Sequence, residues 1–181
     1  MNIEQTTVKI ADICGLGYTD ATGGKLIPYV GYSNEPSPPI TKLVPDAALG
    51  NYMCDGTNRI TVHRGRIRAY VKCKKEIVER VVLIHEIAHS VTHLGLNPIW
   101  KNFKNATKED VEGMAQSASF IYLRDNDPAA VETFKIMSDD SPTEYRIWEK
   151  YQDQTNEQFQ RALFRISGRM VGKEQQFDIA E

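Results

Sequence analysis

Residues 76–94 run Glu76-Ile77-Val78-Glu79-Arg80-Val81-Val82-Leu83-Ile84-His85-Glu86-Ile87-Ala88-His89-Ser90-Val91-Thr92-His93-Leu94. Ile77, Val81, Ile84, Ala88 and Val91 recur three or four apart, the period of one buried helix face. Gly95 and then Pro98 follow as a stop signal, so the spacing predicts a helix over 76–94. His85 and His89 stand at i and i+4, on one face and about 6 Å apart along the axis, where both imidazoles reach one tetrahedral Zn2+ ion. Glu86 is turned by about 100° from His85 and about 60° from His89. It flanks such an ion without binding it and can take a proton from a metal-activated water. Zinc is the expected cofactor and Glu86 the expected general base.

A catalytic zinc takes three protein ligands and keeps one position open. The elongated pattern HExxHxxGxxH needs glycine at 92 and histidine at 95, where this chain has Thr92 and Gly95. His93 lies two turns beyond His85, about 12 Å along the same axis, too far to share an ion bound at about 2 Å. The remaining source is the next helix, predicted from Thr107 to about Arg124 with Asp110 completing a loose capping box. Glu109, Asp110 and Glu112 are its candidates, and Glu112 borders the packed face marked by Val111 and Ala115. Gly113, Ala115, Ser117, Ala118 and Ser119 are small enough to let the two helices pack closely.

Outward from this pair the chain divides unevenly. Residues 1–72 read as a β-rich part: a helix over 3–14, a strand over 25–30 after the turn Gly23-Gly24, and a proline-rich loop over 33–45. Strands follow over 50–54, 59–63 and 66–71, with Arg64, Arg66 and Arg68 on a wet face. Residues 73–124 hold the metal-site helices. Residues 125–172 read as two further helices: one capped by Asp127-Pro128, and one started by Ser141-Pro142-Thr143-Glu144 with the stripe Trp148, Tyr151, Phe159 and Leu163. Residues 173–181 read as a frayed tail.

The 181 residues are 41% hydrophobic and 25% charged with net charge −2, which fits one globular domain and excludes a disordered or fibrous chain. That charge argues against nucleic acid held through its phosphates. No run reaches the roughly 18 apolar residues of a membrane span, and Met1-Asn2-Ile3-Glu4-Gln5 lacks a leader's basic start, so no membrane partner and a cytoplasmic location are expected. Cys14, Cys54 and Cys73 show no CxxC spacing and read as free thiols. Lys72 and Lys74 beside Cys73 could lower its pKa, but no partner base is evident and Cys73 reads as a structural thiol.

His85-Glu86-Ile87-Ala88-His89 followed by Glu112-Gly113-Met114-Ala115 resembles the gluzincin metallopeptidases, specifically the compact minigluzincins and the ImmA/IrrE-like peptidases. The resemblance spans about residues 48–123. It implies Glu112 as the third zinc ligand and a zincin-like α+β fold, a small twisted sheet packed on the HExxH helix with the C-terminal helices closing a cleft. It implies that the strand Asn58–Val62 is an edge strand along which an extended peptide is bound. It also implies a Tyr, His or Arg that stabilises the oxyanion, with Tyr145 first and Tyr122 and His63 behind it. The expected function is therefore zinc-dependent hydrolysis of a peptide or protein substrate. The alternatives are a selective protease of one partner protein and a non-catalytic interaction module.

Overall fold

The computed structural model describes residues 1–17, 26–44, 48–53, 57–95 and 107–171. Helix α1 (Ile3–Cys14) starts where the Asn2 side chain accepts the Gln5 amide at 3.1 Å, and ends at Gly15, whose φ of +66° suits glycine. Three short strands follow, β1 (Tyr29–Ser33), β2 (Gly50–Met53) and β3 (Arg59–His63). Helix α2 (Arg64–Ala69) leads to the long α3 (Lys75–Gly95) and α4 (Lys108–Asn126). A 3-10 turn (Pro128–Ala130), α5 (Val131–Asp140), a 3-10 segment (Thr143–Lys150) and α6 (Asn156–Val171) complete an α+β arrangement. No helix of the described residues is long and apolar enough to cross a membrane.

The sheet order is β1-β3-β2, with β1 parallel and β2 antiparallel to β3. Ile60 and Val62 alternate into the core, which α3 fills with Val78, Ile84, Ile87, Ala88 and Val91. β3 is therefore the central strand, not the edge that the resemblance implied. β2 is an edge strand, and it packs on α3.

Helices that announce themselves by period match closely. Thr107 caps α4 by accepting the Asp110 amide at 3.0 Å, and Ala115, Ala118 and Ile121 are fully buried. Shorter elements depart from expectation for identifiable reasons. The predicted strand over 66–71 is helix α2: Ile67 and Tyr70, three apart, are the side chains that enter the core. A Cβ on Gly65 would collide with the Glu35 carbonyl, so α2 sits directly on that backbone. Its arginines are partnered rather than merely wet: Arg64 grips Glu79 at 2.7 Å and stacks on Tyr32, and Arg66 donates to the Ala48 carbonyl at 2.8 Å.

The predicted strand over 25–30 is shifted to Tyr29–Ser33, after Pro28, which has no N–H for a ladder. Asp127 makes no side-chain cap, because its carboxylate takes Arg80 at 3.0 Å. Ser141 likewise starts no long helix; its hydroxyl donates back to the Met137 carbonyl at 2.7 Å. The chain then tightens into the 3-10 segment, held by Trp148 Nε1 on Ser138 Oγ and by Ser138 Oγ on the Tyr145 carbonyl, at 2.8 and 2.7 Å. The helix with Phe159 and Leu163 starts separately at a capping box, Thr155 exchanging bonds with Gln158 at 2.9 and 3.3 Å. The turns at Gly23-Gly24 and Asp55-Gly56, Cys54, Pro98 and the tail over 173–181 lie outside the described residues.

Candidate metal centre

The i, i+4 spacing on α3 brings the rings of His85 and His89 to a centroid separation of 4.5 Å. α4 packs alongside and presents Glu112, whose Oε2 lies 3.2 Å from His89 Nε2 and 3.4 Å from His85 Nε2. The two Nε2 atoms are 3.0 Å apart. Among the described residues these three form a group whose ligand atoms lie within 4.8 Å of one another and could hold a metal ion. A tetrahedral ion with bonds of 2.0–2.1 Å has ligand–ligand edges of about 3.3–3.4 Å, and the triangle's edges of 3.0, 3.2 and 3.4 Å lie at or a little below that size.

The alternatives on α4 are elsewhere. Glu109 is exposed, and Asp110 is engaged with Thr107 at the helix start. Burial would raise the Glu112 carboxyl, but His89 and His85 override it and hold it well below the usual carboxylate range. In return Glu112 raises His89, against the lowering effect of its own burial. The group is thus an anion set between two imidazoles.

Glu86 is buried and lines the same cavity as the three, without being one of the group whose ligand atoms converge. Burial pushes its carboxyl above the ordinary value, although His85 and His89 pull the other way. The Tyr52 backbone N–H donates to it, which ties the carboxylate to β2. At Gly50, two residues earlier, β2 comes close to α3: a Cβ there would stand 2.6 Å from Val82 Cγ1 and 2.9 Å from Glu86 Oε1. Only glycine leaves that space open.

Tyr145 enters from the 3-10 segment. Its ring lies 5.8 Å from that of His85, and its hydroxyl donates to Glu112. Burial and the Glu112 charge push the hydroxyl well above its ordinary range, so it remains a proton donor. Gly113, next to Glu112, faces Ile147 rather than α3, and a Cβ there would meet the Ile147 side chain at 2.7 Å. Lys108 pairs with Glu144 at 2.8 Å and fastens the same segment to the start of α4.

Around these residues lies a cavity of about 430 Å³, with β2, α3, α4, α5 and the 3-10 segment as walls. Leu43 and Val44, from the proline-rich loop, close one side; the Leu43 amide is anchored on the Asp140 carbonyl at 3.0 Å. Comparison with protein-family models, with curated proteins and with solved structures gives no match for this chain. The site therefore stands on its own geometry.

Two of the residues weighed for oxyanion stabilisation are not brought to the group. Tyr122 pairs with the Thr6 hydroxyl at 3.3 Å between α4 and α1, and His63 bonds Asn51 at 3.0 Å and lines a separate cavity. His93 is not a fourth member; it lines the cavity with its Nδ1 on the Tyr52 hydroxyl at 2.9 Å. Cys73 is raised by burial, which outweighs Lys72, so it is no activated thiol. Sequence reasoning missed Gly50, Tyr52 and Gln116, all lining the cavity. Gln116 had a legible signal, since it follows Glu112 by four and so shares its helix face. Gly50 had none, because close approach of a strand to a helix leaves no periodic trace.

Proposed function

We propose that the chain is a zinc-dependent peptidase of the gluzincin type, with His85, His89 and Glu112 holding the ion. The observation that carries this is the convergence of three ligand atoms at tetrahedral spacing with a buried, proton-accepting Glu86 beside them. A zinc ion there would polarise the substrate carbonyl and let a water ionise near neutral pH. Glu86, its carboxyl raised by burial, takes the water's proton and passes it to the leaving amine. Tyr145, kept protonated, turns its O–H from Glu112 to the carbonyl oxygen as negative charge develops there. The outer edge of β2, unpaired among the described residues, rather than β3, takes the extended peptide, because β2 lies against Glu86 and borders the cavity.

The test is hydrolysis of a quenched-fluorescence peptide library by the zinc-loaded chain, with and without a chelator, against Glu86→Gln. Cleavage that stops with the chelator and in Glu86→Gln is expected. Cleavage by Glu86→Gln at the wild-type rate would sink the mechanism. Selective action on one partner protein is a narrower form of the same reading, favoured by Leu43 and Val44 at the cavity wall. It gains if zinc binds fully and the library stays intact while one folded protein is cut.

A further inference from the structure

We propose that Gln116 is a positioning residue of the metal site: its side-chain carbonyl accepts the Nδ1–H of His85 and aims the Nε2 lone pair of that histidine at the ion. This rests on the zinc reading above and adds to it a residue that touches neither ion nor substrate. Among the described residues, two buried side-chain polar atoms have no hydrogen-bond partner, His85 Nδ1 and Gln116 Oε1. Both side chains line the same cavity.

Their placement makes a pair reachable. α4 runs antiparallel to α3, since Glu112 near its start faces His89, while Asp127 just past its end reaches Arg80. Moving one turn from Glu112 to Gln116 therefore moves along α3 from the His89 turn toward that of His85. Gln116 is 7% exposed, so water offers its carbonyl little alternative. The chemistry is complementary: an imidazole that gives Nε2 to a metal must carry its proton on Nδ1, which is then a buried donor in need of an acceptor. A rotation of the Gln116 side chain joins the orphaned donor to the orphaned acceptor.

The experiment uses the full chain titrated with zinc against a chromophoric chelator, with nitrogen-15 NMR of the histidine rings. The wild type is expected to bind one zinc and to show a His85 Nδ1–H protected from exchange with water. Gln116→Leu is expected to lose that protection and to bind zinc about 10–100-fold more weakly, with Gln116→Glu recovering both. Unchanged affinity and an unchanged His85 resonance in Gln116→Leu would overturn the proposal and leave the metal site standing. A wild type that binds no zinc would overturn the metal reading, and this proposal with it. If Gln116→Leu does not fold, the wild-type spectrum decides: a His85 Nδ1–H exchanging as fast as one open to water overturns the proposal.

Discussion

α3 and the 3-10 segment Thr143–Lys150 deliver side chains to one cavity by different means. On α3, the four-residue step from His85 to His89 is imposed by the helix itself, and 21 residues of core-facing helix hold it rigid. The 3-10 segment has no such internal rule. Tyr145 reaches Glu112 because Gly113 leaves room for Ile147, Lys108 holds Glu144, and Ser138 holds the Tyr145 carbonyl. A residue set by helical period is moved only by unwinding the helix. One set by contacts shifts when any single contact changes.

The largest expected effect lies on the α3 side. Glu86→Gln should lower peptide hydrolysis by about 10²–10⁴-fold with metal content unchanged, measured on the zinc-loaded chain. The same variant tests the burial argument without metal. The Glu86 carboxyl is raised in the fold, so the stability linked to its protonated form is present below about pH 4.5 and is lost as pH rises through the folded value. Metal-free Glu86→Gln should therefore melt at a higher temperature than wild type at pH 7, the difference closing below pH 4.5. Equal melting at both pH values would show that Glu86 is not desolvated.

On the 3-10 side, Tyr145→Phe removes one donor and should lower turnover by about 10²-fold, zinc retained. Gly113→Val sharpens the comparison, because it leaves Tyr145 chemically intact. Crowding Ile147 should still lower activity by about 10–100-fold and destabilise the fold by about 1–3 kcal/mol, read by kinetics and thermal melting. Full activity in Gly113→Val would mean that Tyr145 is placed by something other than this packing. The smallest effect belongs to α2: Arg64→Ala loses a half-exposed ion pair and a ring contact, so about 0.2–1 kcal/mol of stability and no activity should go.

The same contrast marks what could be read from residues alone. α1, α3 and α4 were legible because their apolar residues keep one period for three or more turns. Glu112 was legible as one of three acids on the next helix, and the resemblance to the gluzincins singled it out. Residues 64–69 misled because six residues of alternating Arg and apolar side chains fit two periods equally well. The seat of Gly65 on the Glu35 backbone decides between them. The break at Tyr151–Thr155 was readable in hindsight from the Thr155–Gln158 capping box, yet the aromatic stripe ran across it. The edge position of β2 follows from pairing between distant strands, which no local pattern carries.

The most direct test is the metal content of the purified chain by native mass spectrometry after zinc is added back, beside Glu112→Ala. One zinc per wild-type chain, lost or much weakened in Glu112→Ala, is the result that the His85–His89–Glu112 triangle requires. No zinc in the wild type, or zinc held equally well by Glu112→Ala, would contradict it.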